Sequence, residues 1–335
     1  MTPLDTSPRG DSSSAPPTGS PALETGDGPP SSALRLGKAV VALLDAAVDR
    51  VVLIFLILLL SLGLYCLYDS SQVYSSADAA QYSAYKPVAD DSPNFTELRA
   101  MNPEVVGWLN VNDTPIDYPV VQGSDNQKYL NTTVEGEYRL SGSIFLDCQN
   151  SPAFTDFNSI VYGHHMEQEK MFGCLSNFGD EGYFDAHPFG GMYIRDDWSH
   201  ADDTASGFRS CGVEFFAVIL TNAYDYELYT PAVEAAERQA YLNHIYDIAL
   251  HTRQMEVGPD DRLVLLSTCT TEITNGRYLL VGKLTDTLHP QTFPPKVDII
   301  GAGVDTLTRF PGILFWFVAI LALRVTAVLH KRTKR

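Results

Sequence analysis

The stretch RLVLLSTCTTEITNGRYLLVGKL, residues 262–284, holds two apolar segments separated by a short polar one. Residues 262–268 and 277–284 are each short, apolar and bounded by polar residues, which is typical of buried β-strands. If the two strands form a hairpin, Cys269 at the end of the first and Arg277 at the start of the second could meet at one rim of a sheet.

Similar strand-like segments, rich in β-branched and aromatic residues, are found at residues 116–121, 143–147, 159–162 and 213–221. Turn formers such as GSDN at residues 123–126 separate them. One helix is predicted at 232–251 from the helical spacing of its apolar residues, and another near residue 94, where Asn94 and Glu97 have the spacing of a capping box. The sequence therefore predicts a single mainly β domain, a barrel or sandwich with a few peripheral helices.

Two apolar segments are long enough to cross a membrane. Residues 51–68 carry no charge and predict a transmembrane anchor, with a cleaved signal peptide as the alternative that the preceding fifty or so residues disfavour. Residues 310–329 predict a second transmembrane helix, interrupted only by Arg324 near its end, with a buried C-terminal helix as the alternative.

Basic residues indicate how these spans are oriented. Arg35, Lys38 and Arg50 precede the first span and the basic tail 330–335 follows the second, so both termini are expected in the cytoplasm. The expected organisation is a disordered cytoplasmic tail and juxtamembrane segment at 1–50, the two spans, linkers at 69–91 and 291–309, and one extracellular domain between the linkers. The protein is thus expected at the cell membrane.

The charge of the chain is strongly uneven. Its formal net charge is -18, from 41 acidic and 23 basic residues, and residues 51–309 alone carry about -21. A nucleic-acid partner requires a basic face to neutralise phosphates, so the sequence excludes that class of protein.

Cys269 is the candidate nucleophile, because a strand end holds a side chain rigidly within reach of a substrate. A thiol needs a basic or cationic neighbour to react at neutral pH. Arg277 and His164, which closes the strand at 159–163, are the candidates, although a surface cation remains the alternative for Arg277. Cysteine and histidine spacings that suit a metal are absent from the sequence, which predicts catalysis without a metal or cofactor. The other cysteines outside the first span are expected to be small buried side chains or a disulfide pair: Cys148, Cys174 and Cys211.

These residues resemble the motifs of the sortases, the cysteine transpeptidases of gram-positive bacteria. LSTC at 266–269 followed by Arg277 resembles the TLxTC…R signature, and Tyr162-Gly163-His164 resembles the catalytic histidine motif. Residues 102–108, 116–123 and 143–147 are similar to class B in particular. The resemblance covers about residues 92–285.

The resemblance implies an eight-stranded β-barrel at residues 92–290, with N-terminal helices and an extra helix before the catalytic cysteine strand. It also implies that Cys269 attacks a substrate carbonyl, that His164 exchanges protons with the leaving and incoming amines, and that Arg277 holds the substrate or stabilises the oxyanion. Asn126, Leu130 and Ser267 match positions that line the substrate groove in class B.

The implied function is cleavage of an LPXTG- or NPXTX-like sorting signal after its threonine, through a thioester, and transfer of the secreted protein to an amine of a lipid II-type cell-wall precursor. An alternative is a pilin-polymerising sortase that uses a pilin lysine, since a second span is known in class C. A papain-like or caspase-like protease is disfavoured by the order of histidine and cysteine and by the missing caspase motif. A non-catalytic surface adhesin leaves the three catalytic candidates unexplained.

Overall fold

Nine strands form one sheet in the computed structural model, which describes residues 32–87, 93–195 and 208–290. The strands are β1 (Val105–Val111), β2 (Asp117–Val121), β3 (Ile144–Leu146), β4 (Asn158–Tyr162), β5 (Phe189–Arg195), β6 (Phe208–Asn222), β7 (Ala249–Thr252), β8 (Leu263–Thr270) and β9 (Gly276–Thr285). The α-helices are α1 (Ser32–Ser76), α2 (Pro93–Met101), α3 (Glu181–Ala186) and α4 (Arg238–Ile248). Short 3₁₀ helices lie at Ala79–Tyr85, Lys128–Leu130 and Gly173–Gly179.

Eight of these strands close into a barrel. Their order is β5-β1-β2-β3-β4-β8-β9-β6, and the ring closes because β6 also pairs with β5. β6 is 15 residues long, so its second half extends past β5 and pairs with β7, which lies outside the closed ring. The eight-stranded barrel and the helix before the cysteine strand are therefore confirmed.

Alternate side chains of the barrel strands belong to two apolar cores, as the two faces of a strand require. In β8, Leu266 lies in the barrel interior, whereas Leu263 and Leu265 belong to an outer core. α4 packs over this outer core with Leu242 and Ile245, both fully buried. The outer core explains why a barrel strand can be apolar on both faces.

Two predicted helix ends are wrong. α4 begins at Arg238 and the chain becomes extended at Ala249, instead of remaining helical over 232–251. The edge of β6 beyond β5 offers unpaired backbone groups, so residues 249–252 pair there as β7 in spite of their helical spacing. α2 begins at Pro93, which puts Asn94 inside the first turn rather than at the cap, and proline suits a first helical position.

α1 has the properties of a membrane-spanning helix. An 18-residue window within it has a mean hydropathy of 2.7 and no buried side chain, and no other helix among the described residues meets the same criteria. A signal sequence near the N-terminus shares these properties. The predicted second span at 310–329, with the linker before it and the tail after it, lies outside the described residues.

Gly142 lies in the turn before β3, where the backbone packs closely against the Lys128–Leu130 helix. Its φ is +57°, and a methyl group there would collide with the backbone carbonyl oxygens of Tyr129 and Leu130. We expect Gly142→Ala to lower the free energy of unfolding by roughly 2–4 kcal/mol, from the positive φ and the overpacking together. Urea denaturation followed by tyrosine and tryptophan fluorescence measures this.

Gly136 provides the matched control, since its φ is +85° but nothing lies within 4 Å of an added methyl group. Gly136→Ala should cost only about 1–2 kcal/mol. Equal losses in the two variants would contradict the close approach at Gly142.

Candidate active site

Cys269 lies where β8 emerges from the cover of the outer core. Leu263, Leu265, Ser267 and Cys269 alternate along one face of the strand, since every second side chain shares a face. The first three are buried, whereas Cys269 is exposed. The strand therefore holds one thiol rigidly at the point where its outer face reaches solvent.

Arg277 faces Cys269 across a hairpin, as the sequence suggested. β8 and β9 are antiparallel, and Cys269 and Arg277 are direct partners in the register. Directly opposite residues of an antiparallel pair project to the same face. Arg277 is partly buried and its Nη1 donates to the carbonyl oxygen of Gly276 at 2.9 Å, which ties the guanidinium to the turn.

His164 reaches the same end of the sheet from the other side of β8. β4 and β8 are parallel, with Tyr162 opposite Ser267. The pairing continues past Tyr162, because Gly163 N donates to Ser267 O at 3.1 Å and the Thr268 hydroxyl donates to Gly163 O at 2.8 Å. The two strands thus bring His164 and Cys269 out at one rim.

One hydrogen bond fixes the imidazole of His164. Its Nε2 lies 2.7 Å from the carbonyl oxygen of Leu130. A carbonyl oxygen only accepts, so Nε2 carries a hydrogen whether the ring is neutral or charged. Nδ1 is therefore the ring nitrogen left for contact with a substrate. Gly163, directly before His164, has no room for a side chain, since a methyl group there would lie 2.5 Å from Ile144 Cδ1.

Tyr229, which the sequence did not suggest, borders this rim next to Tyr162. The Tyr229 hydroxyl is 2.8 Å from Ser267 Oγ, and its ring stacks on that of Tyr162 with centroids 6.3 Å apart. Burial raises the pKa of Tyr229 to about 12, while its hydrogen bond with Ser267 and the charge of Arg277 act in the opposite direction. Tyr229 belongs to a loop without a recognisable motif, which is why only the fold reveals it.

Hydrogen bonds link all three residues predicted to line the substrate groove, Asn126, Leu130 and Ser267, to side chains at this rim. Leu130 supplies the carbonyl for His164, and Ser267 bonds Tyr229. Asn126 is linked more remotely: its Nδ2 donates to Asp147 at 2.8 Å, and the same carboxylate oxygen accepts from the Tyr162 hydroxyl at 3.0 Å.

Other candidate groups lie apart from this rim. His165, the neighbour of His164 in the sequence, is exposed, and its backbone forms a bridge with Met171. Among the described residues, no group of three or more His, Cys, Asp or Glu side chains could hold a metal ion. All five cysteines are free, so the disulfide alternative for Cys148, Cys174 and Cys211 is wrong for this structure.

The chain resembles known proteins over this domain, although no family model matches it. Sortase B of Listeria monocytogenes is 35% identical over 218 residues, which are 64% of this chain and 82% of that protein. A class B sortase of Streptococcus pyogenes involved in pilus biogenesis is 36% identical, with a TM-score of 0.50 over 57% of this chain and 97% of that structure. Sortase B of Clostridium perfringens is 31% identical, with a TM-score of 0.51 over 57% of this chain and 100% of that structure.

Sequence identity above 30% over most of the length of these proteins agrees with the barrel and with the residues at its rim. The chain belongs to the sortase family, is similar to its class B, and is accordingly a cysteine transpeptidase.

Proposed function

We propose that the chain cleaves the C-terminal sorting signal of secreted proteins, of the LPXTG or NPXTX type, after its threonine and transfers them to an amine through a thioester on Cys269. The observation that carries the proposal is the exposed Cys269 thiol opposite Arg277, at the sheet end that His164 also reaches. The sorting signal and the site roles rest on the family resemblance together with this geometry.

The first half of the reaction breaks the peptide bond. The Cys269 thiol gives its proton to Nδ1 of His164 as its sulfur attacks the threonine carbonyl carbon, and the carbonyl oxygen becomes negatively charged in the tetrahedral intermediate. Arg277 donates from Nη1 to carbonyl oxygens of its own turn. A guanidinium has five N–H donors, and we assign the remaining ones to that oxygen. His164 protonates the leaving amine from Nδ1 as the C–N bond breaks.

The second half resolves the thioester. An incoming amine attacks the thioester carbonyl, His164 accepts its proton at Nδ1, and the Cys269 thiolate leaves as the new amide forms. The Leu130 carbonyl holds Nε2 throughout. One imidazole nitrogen can therefore serve both half-reactions without turning the ring.

The amine belongs to a lipid II-type cell-wall precursor in the function we favour. A second candidate uses a pilin lysine and builds pili, which is supported by the similarity to the S. pyogenes class B sortase involved in pilus biogenesis. In either case we propose that α1 anchors the protein in the cell membrane, that residues 69–309 lie outside, and that 310–329 is a second span with both termini cytoplasmic.

The other thiols of the barrel are poor competitors for this role. Burial raises the pKa of Cys174 to about 12 and that of Cys211 to about 11, and both side chains are closed off from solvent. Partial burial, and the neighbouring Asp147 to a smaller extent, raise the pKa of Cys148. Thiolate is the reactive form, so these environments suppress reaction.

We expect Cys269→Ala to abolish transfer of a fluorescent sorting peptide to an amine acceptor, by at least about a thousandfold, because the nucleophile is lost. Its thermal midpoint should stay that of the parent, since the thiol is exposed. Cys148→Ala removes a partly buried thiol whose pKa is raised and should keep the parent rate. Full turnover by Cys269→Ala would sink the proposal.

Cysteine labelling of the folded full chain should follow the same ranking. Iodoacetamide at neutral pH is expected to alkylate Cys269 at least about tenfold faster than Cys174 or Cys211, whose pKa burial has raised. Peptide mapping by mass spectrometry gives the three rates. As a control, the three alkylation rates should become equal in urea. Comparable rates in the folded protein would mean that Cys269 is not exposed as described.

A further inference from the structure

The described residues that follow α1, 77–87, pack against the barrel, although the sequence predicts a linker over 69–91. Ala77 is fully buried and Tyr82 is 4% exposed. Asp78 caps the following 3₁₀ helix by accepting from Ala80 N at 2.9 Å. This segment, residues 74–82, is called the neck below.

The loop that follows His164 returns directly to it. Phe172 N donates to the carbonyl oxygen of His164 at 3.0 Å, and Met171 forms the bridge with His165. Gln168, Glu169 and Met171 have positive φ values of 58°, 58° and 53°. Residues other than glycine rarely adopt such backbone angles unless surrounding contacts stabilise them. Residues 165–171, the histidine loop, therefore need contacts from elsewhere to keep this shape.

The neck supplies those contacts at three points. The Tyr74 hydroxyl donates to Glu167 Oε2 at 3.0 Å, and Lys170 Nζ pairs with Asp78 Oδ2 at 2.5 Å. The third contact is indirect and buried. Each point joins the neck to a residue within seven positions of His164.

The buried contact passes through one hydroxyl group. Tyr118, on β2 and 2% exposed, donates to the carbonyl oxygen of Ala77 at 2.9 Å and accepts from Met171 N at 2.9 Å. Burial raises its pKa above the ordinary value, so the hydroxyl keeps its proton and can donate. Without it, a carbonyl of the neck and an N–H of the histidine loop would both lose their partner in the interior.

We infer that Tyr118, Asp78 and Tyr74 are positioning residues for His164: the neck holds the histidine loop closed, and the loop holds the imidazole against the Leu130 carbonyl. This inference rests on the proposed role of His164 as the proton-transfer group. The part of the chain that full activity requires would then begin at the end of α1, because the neck helps to set the position of His164 in the active site.

The test compares Tyr118→Phe with Tyr82→Phe in the full chain. Tyr82 is a buried tyrosine of the neck, and its hydroxyl donates to Glu135 and not to the histidine loop. Tyr118→Phe should lower kcat between about 10- and 100-fold with KM within about twofold, and should alter the pH profile of kcat. Tyr82→Phe should leave kcat and the profile unchanged. The alkylation rate of Cys269 should be the same in both, since β8 carries it.

Surface variants keep the inference falsifiable if Tyr118→Phe unfolds. Asp78→Asn preserves the cap to Ala80 N and removes the charge, and Lys170→Gln removes its partner. If the pair holds the loop, each single variant lowers kcat and the double variant lowers it no further than either. Additive losses, or a parent kcat in all three, would overturn the inference.

The two claims fail in different ways. An active Cys269→Ala variant would remove the proposed function, whereas an inactive one combined with equal kcat values for Tyr118→Phe and Tyr82→Phe would remove the positioning role alone.

Discussion

The hydrogen bonding of β8 along both of its edges is the constraint on which the rest of the molecule depends. One edge pairs in parallel with β4 and the other in antiparallel with β9. The parallel edge brings out the end of β4, and with it His164, beside Cys269. The antiparallel edge puts Arg277 opposite Cys269. A one-residue slip on either edge would turn a side chain to the wrong face, so the barrel register and the chemistry are set together.

Burial then decides which of the thiols is available. The same face of β8 that carries Leu263 and Leu265 under α4 carries Cys269 into the open. Cys174 and Cys211 are enclosed, and enclosure raises the pKa of each. The chain as a whole is acidic, with a net charge of -18, yet a positively charged side chain lies at this rim. That cation is Arg277, supplied by the partner strand of Cys269.

Local sequence patterns predicted the parts of this structure whose determinants are local. Apolar runs bounded by turns indicated β4, β6, β8 and β9, and the hairpin between Cys269 and Arg277 followed from them. β5 escaped prediction because its Gly190 and Gly191 lower strand propensity, and its pairing with β1 and β6 supplies the stability. β7 looked helical because its pairing with β6 is a tertiary contact. Tyr229 carries no motif, and Tyr118 belongs to a class B-like segment that does not by itself single it out. Their importance comes from groups 38 and 53 residues away in the chain.

The central claim is that the rim formed by Cys269, His164 and Arg277 forms a thioester with a sorting signal. Intact-mass spectrometry of the full chain, incubated with a sorting peptide and no acceptor amine, measures this directly. We expect an adduct whose mass equals the peptide portion up to its threonine, mapping to Cys269 and released by hydroxylamine. An adduct on Cys148, Cys174 or Cys211, or cleavage of the peptide without any adduct in the Cys269→Ala variant, would contradict it.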